Sequence, residues 1–207
     1  VMVCGGTGCQ ASRSRLLVDA VRDELSKERL DRSVRLCVTG CHGFCEQGPV
    51  MVIEPDNIFY CHVSPEDAFE IVYQTVMNGK LVERLLYVDP SSGQKVRTQS
   101  EVPFYRVQDR QILSQNRFID PCSIEDYIVA GGYSALTRVL TSGMNLKRII
   151  EEIMASGLRG RGGGGFPTGR KWTECREAAG DEKYVICNAD EGDPGAYMDR
   201  CVLEGNP

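Results

Sequence analysis

The sequence predicts an α/β fold in two successive parts, and three observations predict it. Residues 1–88 alternate strand-like and helix-like stretches in the order strand, helix, strand, strand, strand, helix. A polar segment rich in Pro, Gly and Ser follows at 89–116. From residue 117 the apolar period becomes helical, then gives way to a glycine-rich loop and another strand-like stretch. A chain of 207 residues has room for one large domain or two small ones.

Taken in order, "VMVC" reads as the end of a strand. "SRSRLLVDAVRDELSKERL" sets Leu16, Leu17, Ala20, Val21 and Leu25 on one helical face. "SVRLCV" is a strand, and "PVMVIE" and "NIFYCHV" are two more around the turn "EPDN". "SPEDAFEIVYQTVMNGK" is a helix with Ser64 as N-cap, Pro65 at its first position, acids in its first turn and Gly79 as its stop. Residues 89–116 read as a linker. "CSIEDYIVAGG" carries a capping box of Ser123 and Asp126. "YSALTRVLTSG" and "NLKRIIEEIMASG" are helices closed by Gly. A short helix is expected after the glycine loop, then a strand at "KYVICN" and an acidic loop at "ADEGDPGAYMDR". No internal repeat is present.

Composition excludes some functions. The net charge of −5 argues against nucleic acid as the main partner. No apolar run approaches the ~18 residues that a membrane span needs, and no secretory leader is visible. The first residue is not Met and the last five are "LEGNP", so a fragment cut at both ends is expected. The default compartment is then the reducing cytoplasm, where the 10 cysteines are more readily ligands or packing residues than disulfides.

Four of those cysteines form two pairs, Cys4 with Cys9 and Cys41 with Cys45, in a C-x4-C and C-x3-C pattern. Four thiolates suit zinc or an iron–sulfur cluster. Zinc ribbons prefer the tighter C-x2-C turn. A [2Fe–2S] rhomb, with two thiolates on each iron, accommodates wider loops. Gly5, Gly6, Gly8, Gly40, Gly43 and Gly48 would let backbone N–H groups approach its sulfides. Cys37, in a strand, reads as a core residue, as do the single Cys61, Cys122, Cys175, Cys187 and Cys201.

Further on, "GRGGGG" at 160–165 satisfies G-x-G-x-x-G, but it follows a helix where a dinucleotide fingerprint must follow a strand. Either it is a flexible linker, or its backbone lies against a planar ring while Arg159, Arg161, Arg170 and Lys171 meet phosphate. The acidic stretch gathers Asp190, Glu191, Asp193 and Asp199. It reads as a solvated loop, a Ca2+ site without EF-hand spacing, or a set of groups that bond a cofactor's hydroxyls and ring edge.

Residues 1–88, with this cysteine pattern and element order, resemble the thioredoxin-like [2Fe–2S] ferredoxins. The resemblance implies Cys4, Cys9, Cys41 and Cys45 as cluster ligands. "NRFIDPCSIEDYIVAGGYSAL", "SGLRGRGGGGFPTGRKW" and "YVICNADEGDPGAYMDRCVLEGNP" resemble the flavin subunit of complex I and its hydrogenase and formate dehydrogenase relatives, over about the last 90 residues. The fusion to a ferredoxin-like domain is most similar to the flavin subunit of NAD(P)-linked [FeFe]-hydrogenases, electron-bifurcating ones included. This implies a thioredoxin-like domain at 1–88, a linker at 89–116, and at 117–207 the N-terminal part of an α/β domain that binds FMN and NAD(P)H. The implied FMN contacts are Gly160, Arg161, Gly162, Gly163, Lys171, Asn188, Asp190 and Glu191. Gly164, Gly165 and Asp193 complete the cofactor set, and Phe166 would stack on the dinucleotide. The chain departs from the family at Asp193, where complex I often has Glu, and at Glu174, where some relatives have an aromatic residue. The family's [4Fe–4S] ligands would lie beyond Pro207. The implied role is the diaphorase subunit of a hydrogenase or formate dehydrogenase, working with the catalytic subunit and a small [2Fe–2S] subunit. A non-catalytic [2Fe–2S] carrier or assembly module, and a zinc-stabilised interaction domain, are the alternatives.

Overall fold

A computed structural model describes residues 1–206; Pro207, the last residue of the expected flavin segment, lies outside them. Contacts group the chain into two units, Val1–Ala130 with the segment from Asp190 onward, and Gly131–Ala189.

The first unit is built on strands β1 (Met2–Cys4), β2 (Cys37–Thr39), β3 (Met51–Ile53) and β4 (Ile58–Tyr60), in the spatial order β2-β1-β3-β4. β1 pairs in parallel with β2, with Cys4 opposite Thr39, and antiparallel with β3; β3 and β4 form a hairpin. A parallel pair needs a long crossover. Two helices supply it, the short α1 (Thr7–Ala11) and the longer α2 (Ser14–Lys27).

Both faces of this sheet are buried, which is why its strands read as unbroken apolar runs. Alternation still sorts the side chains. Val3, Met51, Ile53, Ile58 and Tyr60 join α2 and the following helix in one cluster, while Cys4, Val52 and Phe59 point into another with Phe44, Tyr87 and Val102. On α2 the buried side chains are Ser14, Leu17, Val18, Val21 and Leu25, whereas Leu16 is 52% exposed. The three consecutive apolar residues at 16–18 leave the helix phase open, and packing selects Val18 over Leu16.

The next helix, α3 (residues 65–77), begins as a 3-10 turn at Pro65–Asp67, makes one α turn at Ala68–Glu70 and widens to a π-helix over Ile71–Met77. Gly79, at φ +65°, ends it. At its start the Ser64 N–H and hydroxyl donate to Asp67 Oδ2 at 2.7 and 2.9 Å, and Arg84 donates to Asp67 Oδ1 at 2.6 Å and also to Glu70. Burial works to raise the Asp67 pKa, but the Ser64 and Arg84 hydrogen bonds outweigh it and hold the carboxyl below its ordinary value. Asp67→Ala should therefore cost about 1–2 kcal/mol of stability at neutral pH, as losing a cap does. Because the folded pKa is depressed, this contribution is complete above the ordinary aspartate value of about 3.9 and is lost as pH falls through the folded value. Denaturant titrations of both proteins should converge in acid. A gap that stayed constant down to acid unfolding would place the effect in packing instead.

The segment expected as a linker closes the sheet's second face. β5 (Tyr87–Val88) pairs antiparallel with β6 (Lys95–Val96), and the short helix α4 (Pro103–Arg106) follows. Tyr87, Val96, Val102 and Tyr105 pack into the second cluster, and the Phe59 N–H donates to the Arg97 carbonyl at 2.8 Å. The polar composition of 89–116 hides Val96, Val102 and Tyr105, which are spaced too irregularly to show a period. Helix α5 (Ile124–Val129) starts at the expected Ser123 cap, with the Asp126 N–H donating to Ser123 Oγ at 3.2 Å.

The second unit holds α6 (Ser134–Thr141), α7 (Leu146–Ala155) and α8 (Thr168–Glu177). Asn145 caps α7, accepting from the Arg148 N–H at 2.9 Å. A β-carbon on Gly169 would run into Met154, so glycine lets α8 lie close on α7. The strand expected at "KYVICN" is absent: residues 183–188 form no ladder, and Tyr184, Val185 and Ile186 are exposed. An apolar run becomes a strand only against a neighbour, and among the described residues every strand of the two sheets lies between Met2 and Val96. Among the described residues, no helix is long and apolar enough to cross a membrane.

Candidate metal centre and glycine loop

Parallel strands end on the same side, so β1 and β2 deliver their cysteine loops together. Cys4 is the last residue of β1, and Cys9 lies one turn into α1. Cys41 follows β2 by two residues, and Cys45 opens the 3-10 turn Cys45–Gln47. The Cys4 thiol is close enough to Cys41 and Cys9, and the Cys41 thiol to Cys45, for each to shift the other's ionisation. The four expected ligands are therefore brought together, Cys45 on the exposed side and the other three buried. Among the described residues no three His, Cys, Asp or Glu groups converge on one metal ion. The thiols are arranged instead as a series of neighbouring pairs.

Glycines make that approach possible. A β-carbon would lie 3.0 Å from Cys41 Sγ if placed on Gly6, 2.9 Å from Cys45 Sγ on Gly8, and 2.9 Å from Cys9 Sγ on Gly48. Gly43, at φ +78°, turns its N–H toward Cys41 Sγ at 3.3 Å. Four thiols in a cradle that any side chain would fill, with a backbone donor aimed at sulfur, fit a thiolate-bound iron–sulfur cluster.

The thiols differ electrostatically. The bond with Cys41 lowers the Cys4 pKa, but Cys9 and burial outweigh it and push it up to about 12. Cys9 is lowered, chiefly by its bond with Cys4. Cys41 is raised by its bond with Cys4 and by burial, and Cys45 by burial and by Cys41. A bound metal would hold all four as thiolates. Cys37 stays apart in β2, where burial lifts it to about 11.

Two contributors were not foreseen. The acidic stretch runs into a helix, α9 (Met198–Gly205), whose Cys201 is buried and close enough to Cys41 to influence its thiol. Glu191, expected at the flavin, accepts the Asp199 and Arg200 N–H groups at 2.7 and 3.1 Å and so caps α9. Asp190 and Asp193 precede α9 in the same unit. The second contributor is the 97–118 segment, which brings Gln99, Arg110 and Arg117 to the second cysteine loop.

In the other unit, residues 158–168 fold as a closed loop. The Gly160 N–H donates to the Phe166 carbonyl at 2.8 Å, the Thr168 N–H to the Leu158 carbonyl at 2.9 Å, and Arg159 Nη1 to the Gly165 carbonyl at 3.0 Å. The loop is thus an ordered structure, unlike a linker. Lys171 Nζ lies against Gly160, where a β-carbon would sit 2.6 Å from it. Arg161, Gly162, Gly163 and Gly164 are exposed, and positions 162–165 face open space. Phe166 is partly exposed, with Arg170 Cζ and Lys171 Nζ 5.3 and 6.0 Å from its ring centre. An exposed backbone ridge flanked by cations suits a planar, phosphorylated group. Asn188 lies beyond α8 in an exposed stretch without regular structure.

Comparison with known proteins matches residues 1–75 to the thioredoxin-like [2Fe–2S] ferredoxin family and residues 153–207 to the Nuo51 FMN-binding domain. The NADP-reducing hydrogenase subunit HndC of Solidesulfovibrio fructosivorans is 56% identical over 90 residues, covering 44% of this chain and 18% of that protein. The NAD-reducing hydrogenase HoxS subunit alpha of Cupriavidus necator is 33% identical over 180 residues, covering 82% of this chain and 25% of its own length. A thioredoxin-like [2Fe–2S] ferredoxin from Aquifex aeolicus aligns with 33% identity and a TM-score of 0.38, over 41% of this chain and 84% of that one. The chain thus spans between 18% and 25% of the length of these two curated relatives.

Proposed function

Since the chain belongs to the thioredoxin-like [2Fe–2S] ferredoxin family over residues 1–75 and to the Nuo51 FMN-binding family over 153–207, we propose that it passes electrons between NAD(P)H, FMN and iron–sulfur clusters. The observation that carries this is the convergence of Cys4, Cys9, Cys41 and Cys45 in a glycine cradle at the ends of two parallel strands. FMN, when bound, would supply the conversion between a two-electron hydride and the single electrons that an iron–sulfur cluster carries.

The protein's own part is positioning and electrostatics. Gly6, Gly8 and Gly48 admit the cluster, and the four thiolates hold it. Gly160, Gly162, Gly163, Gly164 and Gly165 offer backbone to the flavin ring, while Arg161 and Lys171 meet its phosphate. Phe166 offers its face to the dinucleotide. Asn188, Asp190, Glu191 and Asp193 complete the cofactor set in this reading, and Glu191 also caps α9. Along the chain, we assign the one-electron centre to residues 1–88 and the flavin site to 117–207, with 89–116 covering the sheet between them. The setting is the cytoplasm. The role is the diaphorase subunit of a hydrogenase or formate dehydrogenase, beside its catalytic subunit and a small [2Fe–2S] subunit.

Because the chain spans only a fraction of its relatives' length, the 207-residue polypeptide should hold its cluster yet retain FMN only weakly after gel filtration. Flavin content per chain, and fluorescence titration with FMN and then NADH, measure this. Tight stoichiometric FMN would show that the residues present already complete the flavin site. No FMN affinity at any concentration would count against the flavin reading.

A further inference from the structure

The segment that covers the second face of the sheet also delivers two arginines to the cysteine loop at 38–49. Arg117 Nη1 donates to Gln99 Oε1 at 2.8 Å. A guanidinium can only donate, so this contact fixes the Gln99 amide, and its Nε2 donates to His42 Nδ1 at 3.1 Å. His42 Nε2 must then carry the proton and donate to Thr39 Oγ1 at 2.8 Å, while the Thr39 hydroxyl turns to the Val3 or Gly40 carbonyl at 3.3 or 3.2 Å. His42, Gln99 and Thr39 are each about 1% exposed. Every donor along this path points inward, with a full positive charge at its outer end.

Arg110 reaches the same loop from another side. Its guanidinium stacks 4.3 Å above the Tyr105 ring, and its Nε donates to Gln108 Oε1 at 3.1 Å. Its Nη2 is buried without a hydrogen-bond partner among the described residues, 3.6 Å from where a β-carbon of Gly43 would stand, Gly43 being midway in sequence between Cys41 and Cys45. Arg117 shares a cavity of about 220 Å³ with Glu54, Gln99 and His42.

We propose that Arg110 and Arg117 are charge-compensating positioning residues of the iron–sulfur centre, and that they raise its reduction potential. The inference rests on the reading that the four thiols hold a [2Fe–2S] cluster. Uptake of one electron adds one negative charge to a centre already ringed by thiolates. Fixed cations in a poorly solvated loop favour the more negative state.

The test is a redox titration of the whole chain, followed by EPR of the reduced cluster, with iron and acid-labile sulfide measured on every sample. Arg110→Gln and Arg117→Gln should each make the cluster harder to reduce. The reduced-to-oxidised ratio at a fixed potential should fall by up to about tenfold, or about 59 mV for a one-electron couple. Arg117→Lys should restore most of the shift, and Arg22→Gln, whose arginine pairs with Asp19 on the exposed face of α2, should show none. Unchanged potentials in both glutamine variants, with full cluster content, would overturn the inference while leaving the cluster itself secure. If Arg117→Gln cannot hold a cluster, Arg117→Lys decides. Retention at the wild-type potential supports a role for the charge, and loss in both variants assigns Arg117 to structure and overturns the inference. A wild-type chain without iron and sulfide would overturn the reading on which it stands.

Discussion

Cys41→Ser, made together with Cys201→Ser, should abolish the visible absorption and the reduced-state EPR signal of the iron–sulfur centre, whereas Cys37→Ser should leave both intact. The two cysteines are four residues apart and both buried, so burial does not distinguish them. Geometry does. Cys37 sits in β2, opposite Met2, while Cys41 lies past the strand end with its thiol beside that of Cys4. Serine is nearly isosteric with cysteine but is a far weaker ligand for iron. Losing one of four donors should therefore remove the cluster or strip it to a minor, altered species. Cys201 is changed as well because its buried thiol lies beside Cys41, close enough to stand in for it. Cys201→Ser alone should keep the wild-type signal. A wild-type spectrum from the Cys41/Cys201 double variant would exclude Cys41 as a ligand.

The same substitution at two glycines should separate the two sites. Gly8→Val places its β-carbon 2.9 Å from Cys45 Sγ and should eliminate bound iron and sulfide. Gly162→Val meets nothing within 4 Å. It should therefore leave folding and iron content unchanged, and act only where a flat ring would have to approach the backbone. There it should weaken FMN by about tenfold or more, the equivalent of at least about 1.4 kcal/mol. Iron content, circular dichroism and FMN titration of each variant measure these outcomes. Equal FMN affinity in Gly162→Val and wild type would remove the loop from the flavin site. Normal iron in Gly8→Val would mean that the cradle is looser than its geometry.

The sequence made the metal centre legible because its chemistry is local. Two short cysteine pairs and their glycines carry the signal, and the strand–helix order needed to bring the pairs together shows as apolar runs and a helical period. The residues around that centre are distant in sequence and ordinary in type. Gln99 and Arg110 belong to a polar stretch, 89–116, whose few anchors, Val96, Val102 and Tyr105, follow no period, so the stretch reads as a linker although it closes a sheet face, and Arg117 stands just beyond its end. Leu16 and Val18 are equally apolar, and only packing decides which of them faces the core. The run "KYVICN" has strand composition, yet composition cannot supply a neighbouring strand. Glu191 and Cys201 fall in an acidic stretch whose charge masks the start of α9, and the helix places them where a loop would not.

The most direct measurement is the metal and sulfide content of the purified chain, with its EPR spectrum after reduction. About two irons and two acid-labile sulfides per chain are expected, with a signal from one unpaired electron that disappears on reoxidation. One zinc per chain, no labile sulfide and no signal would contradict the account, because four thiolates can also close a structural zinc site that carries no electrons.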